Sequence, residues 1–148
     1  MGKKKVVDAR FAKSKEYRAV INQIADEAKC PFCPDNFRYH KKPILKRLGN
    51  WFITSSTWPY KDTKHHFLII GTRHKERLRE LTPADWKSII ALVNDVVRKN
   101  KIRGGAIAMR FGETAYTGAT VCHLHMHLIV PELQRGKRVA KTVMFPVG

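Results

Sequence analysis

Apolar residues recur along this chain with two different periods, and each change of period marks an element. After Ser14, Tyr17, Val20, Ile21, Ile24, Ala25 and Ala28 fall three and four apart, the spacing of one helix face. Ser14 stands where a hydroxyl caps the first turn, so a helix is predicted to about Lys29. Thr82-Pro83-Ala84-Asp85 opens a second helix with a hydroxyl cap, a first-turn proline and an acid. Its stripe of Trp86, Ile89, Ile90, Val93, Val96 and Val97, reaching about Asn100, is expected to pack on the chain's own sheet. Ile44–Leu48 and Trp51–Ser55 read as strands around Gly49-Asn50, and 66–71 as a buried strand. Segments 106–111 and 121–130 read as the last two strands. Cys30-Pro31-Phe32-Cys33-Pro34-Asp35-Asn36 is a proline-punctuated knuckle, and residues 58–62 form a loop. No repeat or domain boundary interrupts the pattern. The expectation is one α+β domain over 14–148, with a mostly antiparallel sheet of about five strands and two main helices. Residues 1–13 are expected to be a basic flexible tail, and 132–148 a basic C-terminal segment.

The most informative alternation is Val121-Cys122-His123-Leu124-His125-Met126-His127-Leu128-Ile129-Val130. A half-buried strand turns Leu124, Met126, Leu128 and Val130 to a core and His123, His125 and His127 to the opposite face. Neutral imidazoles near pH 7 serve as nucleophiles, proton carriers or metal ligands. Alternate residues on one strand face lie roughly 6.7 Å apart, while metal–nitrogen bonds are about 2 Å long. One ion therefore cannot collect all three, and the row must divide its labour.

Net charge changes the picture of partners. Lys and Arg number 29 against 12 Asp and Glu, a formal +17 spread along the chain at 41–42, 46–47, 73–79 and 135–141. Such a surface attracts phosphate, on nucleotides or on nucleic acid, although no nucleic-acid recognition motif accompanies it. No apolar run approaches the ~20 residues that span a bilayer. The basic start Met1-Gly2-Lys3-Lys4-Lys5 has no apolar stretch behind it, so a cytoplasmic location without membrane attachment is expected.

Three cysteines, Cys30, Cys33 and Cys122, do not suggest a disulfide framework. Thiolates spaced as Cys30 and Cys33 can clasp one metal ion from a tight turn. The rival is a redox pair, but such pairs open a helix after a strand, whereas this one follows a helix. A tetrahedral zinc site needs two further ligands, for which His40, His65, His66, His74, His123 and His127 are candidates. Geometry alone does not choose between the two ends of the histidine row.

The run His123-Leu124-His125-Met126-His127-Leu128-Ile129 resembles the signature of the histidine-triad (HIT) superfamily. His66-Phe67-Leu68-Ile69-Ile70-Gly71-Thr72-Arg73-His74 resembles its buried strand ending in a basic residue and histidine, and Cys30-x-x-Cys33 the zinc knuckle of many microbial members. Order and spacing agree from about residue 30 to 131. The resemblance implies a HIT-like fold and a structural zinc held by Cys30, Cys33, His74 and His123. It implies that His125 is the nucleophile, attacking the α-phosphorus of a nucleotide to form a covalent nucleotidyl-histidine. His127 and His66 would contact the phosphate and assist departure of the leaving group. Substrates would be nucleoside phosphoramidates, dinucleoside polyphosphates or adenylylated nucleic-acid ends, and a binding module without catalysis is the alternative. Members are often homodimers joined through the long helix and a sheet edge.

Three departures stand out, one of them a slightly long loop over 113–120. Many members carry asparagine on the strand before the triad, where Met109-Arg110-Phe111-Gly112 stands here. Arg110 then either supplies a charged substrate contact or is simply exposed. Gly118 and Thr120 match the small and hydroxyl residues that approach the phosphate, whereas the basic sequence after Pro131 has no clear counterpart. His40 and His65 have no assigned role; Trp58 and Tyr60 could stack on a base, and Trp51 is expected in the core.

Overall fold

Residues 4–148 are described by the computed structural model, and the two apolar periods become two faces of one sheet. Its strands are β1 (Ile44–Leu48), β2 (Trp51–Ser55), β3 (Thr63–Gly71), β4 (Ala106–Met109) and β5 (His125–Pro131). They lie in the order β1-β2-β3-β5-β4 and every neighbouring pair is antiparallel. The α+β expectation holds.

One face buries Trp51, Ile53, Phe67, Ile69, Met126 and Leu128 beneath helix α2 (Pro83–Lys99), which contributes Ile89, Leu92, Val93 and Val96. Each such side chain is worth roughly 1.5–3 kcal/mol on burial. The helix packs on a narrower stripe than expected. Trp86 and Ile90 are 38% and 43% exposed, while Leu92 is fully buried. A step of 100° per residue puts Ile89, Leu92, Val93 and Val96 on the sheet and swings Trp86 and Ile90 off it. The α2 start is a capping box: the Thr82 hydroxyl accepts from Asp85 N–H at 3.3 Å, and the Asp85 carboxylate accepts from Thr82 N–H at 2.7 Å. That carboxylate also accepts from Trp51 Nε1–H at 2.8 Å and Lys75 Nζ at 2.9 Å.

The other face carries the histidines. The register pairs His66 with Ile129, Leu68 with His127 and Ile70 with His125, so these six point to one side. Helix α1 (Lys15–Glu27), capped by the Ser14 hydroxyl, inserts Ile21 and Ile24 there. Strand β5 starts four residues later than the alternation suggests. Residues 122–124 bend instead, and Leu124 N–H donates to the Lys75 carbonyl at 2.7 Å.

From residue 4 onward the expected free tail is packed; residues 1–3 lie outside the described range. Val6, Val7, Asp8 and Ala12 are buried, and Val7 forms an isolated antiparallel bridge with Val121. Asp8 accepts from Arg10, Lys5 and the Thr114 hydroxyl. The pair of apolar residues after the lysines thus finds a partner more than a hundred residues away, which no local pattern announces. The basic C-terminal segment turns back through a Leu133–Ala140 bridge and brings Phe145 and Pro146 against the histidine face. No helix among the described residues is long and apolar enough to cross a membrane.

Candidate functional site

The knuckle after α1 and the bend before β5 meet. One ligand atom each from Cys30, Cys33, His74 and His123 lie within 4.8 Å of one another. Cys30 Sγ is 3.3 Å from His123 Nδ1, and Cys33 Sγ is 3.5 Å from His74 Nδ1 and 3.8 Å from His123 Nδ1. Bonds of about 2.0–2.3 Å in a tetrahedron place donors about 3.3–3.8 Å apart. The far side of each imidazole is committed. His123 Nε2–H donates to the Gly71 carbonyl at 2.6 Å, and His74 Nε2–H to Glu76 Oε1 at 2.7 Å. Both Nδ1 lone pairs therefore face the sulfurs, which is the orientation that outer partners impose on metal-binding histidines. Burial pushes the Cys33 thiol up to about 12, with the neighbouring Cys30 adding to it. A bound cation reverses that preference by favouring thiolate. The donor set fits a soft, tetrahedral ion.

His123 also reaches the next histidine. His125 Nδ1–H donates to the His123 carbonyl at 2.7 Å, which leaves the Nε2 lone pair of His125 free. Hydrogen positions follow from the network. His125 is buried and lines the cavity, and Phe32 sets its ring edge-on to it at 5.0 Å. Burial lowers His125 to about 4, so it is neutral at pH 7.

The neighbouring imidazoles form a chain. Tyr60 N–H donates to His66 Nδ1 at 3.1 Å, so the His66 proton sits on Nε2. That N–H donates to His127 Nδ1 at 2.8 Å, which puts the His127 proton on Nε2. Tyr60 covers both rings, with centroids 4.5 Å from His66 and 5.7 Å from His127. His127 lies 4.9 Å from His125, centroid to centroid.

Arg110 follows the end of β4 and is not simply exposed. Its Nη2 donates to the Tyr60 hydroxyl at 2.9 Å and its Nη1 to the Pro146 carbonyl at 2.8 Å, and the guanidinium stacks on Phe145 at 4.6 Å. Gly118 and Thr120 line the same cavity, of about 110 Å³, with His66, His125, His127 and Arg110. Gly118 adopts φ +65° at the end of the short helix α3 (Thr114–Thr117), a conformation that favours glycine. The Thr120 hydroxyl is bonded to Tyr17 at 2.6 Å.

The structure thus gathers the ten singled-out residues into two adjoining groups that share His123. Sequence reasoning missed Phe32, Tyr17 and the C-terminal Phe145 and Pro146. A phenylalanine–proline pair just beyond the basic run was the available signal for the last two. Tyr60 backs the histidines, Trp51 is in the core as expected, and Trp58 packs on Tyr17. His40 bridges Thr54 and Thr57 at the cavity wall, and His65 stacks on Phe67.

Known proteins resemble this arrangement. A HIT family hydrolase from Clostridium thermocellum is 24% identical, with 75% of this chain and 96% of that one covered and a TM-score of 0.54. A zinc-bound histidine triad family protein from Mycobacterium smegmatis is 22% identical over 76% of this chain and 80% of its own, with a TM-score of 0.55. A histidine triad nucleotide-binding protein from Candida albicans is 19% identical over 81% and 85%, with a TM-score of 0.59. These likenesses speak to the fold. No curated protein sequence matches the chain at a significant level. The HIT domain family model matches residues 61–133, a span that begins just before β3 and ends just beyond β5. Sequence model and fold agree, and residues 61–133 of the chain form a histidine-triad (HIT) domain.

Proposed function

We propose that this protein is a nucleotide hydrolase or nucleotidyl transferase acting at the α-phosphorus of a nucleotide conjugate through a covalent intermediate on His125. The observation that carries the proposal is the His125 tautomer. Its Nδ1–H is held by the His123 carbonyl, so a neutral Nε2 lone pair is available beside the donor of His127. In the first step Nε2 bonds to phosphorus, and the bond to the leaving group breaks with its electron pair. Water or another acceptor then attacks phosphorus, the electron pair of the N–P bond returns to Nε2, and the nucleotide is released. His127, with His66 behind it, supplies preorganised hydrogen-bond donation to the phosphoryl oxygens. Gly118 and Thr120 border the same space.

Zinc suits the two thiolates and two imidazoles of Cys30, Cys33, His74 and His123. With all four positions filled by protein it would order the knuckle and the bend before β5. The exposed Trp86 and Ile90 of α2 and Ile107 of edge strand β4 support the homodimer that the family resemblance implies.

A second reading, removal of adenylyl groups from nucleic-acid ends, is favoured by the +17 charge. The test is turnover of an adenosine phosphoramidate, a diadenosine polyphosphate and an adenylylated oligonucleotide by wild type and His125→Ala. Release of nucleoside monophosphate by wild type alone is the expected result. The best substrate separates the first two readings, with steep salt inhibition marking the oligonucleotide case. A folded wild type that binds nucleotide and turns over none of the three would replace the enzyme with a binding module.

A further inference from the structure

Arg110 sits in an unfinished hydrogen-bond arrangement. Its Nη2 lies 3.4 Å from His127 Nε2. The chain from Tyr60 through His66 puts a proton on that same His127 nitrogen. Two donors therefore face each other, and neither can accept. Arg110 Nε–H is in addition buried, with no hydrogen-bond partner among the described residues. A guanidinium N–H buried without a partner is costly, and an oxyanion placed between the three N–H groups would relieve it with charge-assisted bonds.

The order of groups along the cavity says which oxyanion. Phe32, Ile21 and Ile24 make one end apolar. His125 contacts Phe32, His127 neighbours His125, and Arg110 neighbours His127. A nucleoside at the apolar end with its α-phosphorus over His125 Nε2 directs the leaving group toward Arg110. The guanidinium keeps its charge at any working pH, so it attracts a phosphate there and repels a protonated amine. The Pro146 carbonyl and the Phe145 ring hold the group in place from the C-terminal segment.

We propose that Arg110 determines substrate specificity at this site by binding a phosphate on the leaving group, so that conjugates releasing a phosphate are preferred over conjugates releasing an amine. The inference rests on the hydrolase reading above. In the bond-breaking step the bridging oxygen keeps the electron pair of the α-phosphorus–oxygen bond, and Arg110 balances the charge that develops on the departing phosphate.

The test compares kcat/KM for diadenosine triphosphate and for an adenosine N-alkyl phosphoramidate, in wild type and Arg110→Gln. Wild type should prefer the polyphosphate by at least about tenfold. Arg110→Gln should lose about 10- to 100-fold on it while changing less than about threefold on the phosphoramidate, as expected for one charge-assisted contact. Equal losses on both substrates, or a wild-type preference for the amine, would overturn the inference and leave the hydrolase reading intact. Calorimetric binding of ADP and AMP supplies a readout without turnover: ADP should bind about tenfold tighter to wild type, and Arg110→Gln should close the gap. Absence of turnover with that gap present would remove the hydrolase reading and keep the Arg110 phosphate contact. If Arg110→Gln does not fold, wild type binding ADP no more tightly than AMP overturns the proposal.

Discussion

Acidification should destabilise this protein through His66 well before its carboxylates protonate. His66 is 6% exposed, and both ring nitrogens are committed in the neutral form, Nδ1 accepting from Tyr60 and Nε2–H donating to His127. Burial, reinforced by the Arg110 charge, lowers it to about 4 from the ordinary 6.5. The unfolded chain binds this proton near 6.5 and the folded chain only near 4, so the unfolded state holds more protons throughout that window. Stability therefore falls as pH falls through it. The full displacement corresponds to roughly 3 kcal/mol, of which about 2 kcal/mol is lost by pH 5, at 1.36 kcal/mol per pH unit. With a urea slope of about 2 kcal/mol per molar, the unfolding midpoint should drop by about 1 M between pH 7.5 and 5 from this residue alone. Other acid-sensitive groups add to the wild-type slope, so the decisive measurement is the difference between wild type and His66→Gln. The variant should lose about 2 kcal/mol of pH dependence over that range, and nitrogen-15 spectra should show His66 titrating near 4. An unchanged slope in His66→Gln, or a ring that titrates at 6 to 7, would refute the reasoning.

Other expectations follow from particular contacts. Cys33→Ser should abolish retention of one equivalent of zinc after dialysis and lower the melting temperature, both read on the purified protein; undiminished zinc would remove Cys33 from the ligand set. Asp85→Ala deletes the α2 cap and strands the buried Trp51 indole N–H, so it should cost about 2–4 kcal/mol in urea unfolding, and a loss below about 1 kcal/mol would contradict the geometry. Gly105→Ala would set its Cβ 2.5 Å from the Ile129 carbonyl oxygen, so the β4–β5 pairing must shift. A loss of about 1–3 kcal/mol is expected, with hydrogen exchange accelerated in 106–109.

Local pattern carried most of the fold. Strands Ile44–Leu48 and Trp51–Ser55 and the α2 start are legible because alternation, a turn pair and a capping box are written within a few residues. The start of β5 was harder. Residues 121–124 keep the period of a strand, yet Cys122 and His123 leave the sheet because His123 must turn to the knuckle sulfurs. The alternation records which side chains share a face without recording that the backbone bends. Val6 and Val7 looked like part of a tail because their partner Val121 is remote in sequence. Arg110 stood undecided between contact and exposure because its neighbours come from a loop, β5 and the C-terminal segment. Helix α2 showed an apolar stripe wider than the sheet can cover, so the sequence overstated its burial.

His123 belongs to both groups of the site, its Nδ1 facing the cysteines and its carbonyl holding His125 Nδ1–H. Coupling through such a shared residue is reciprocal by thermodynamic necessity. Whatever free energy an ion at the cysteines contributes to orienting His125, a nucleotide settled on His125 must return to the ion. An ion bound at the cysteines would then leave most readily when no nucleotide is present, so metal loss and an empty cavity would go together.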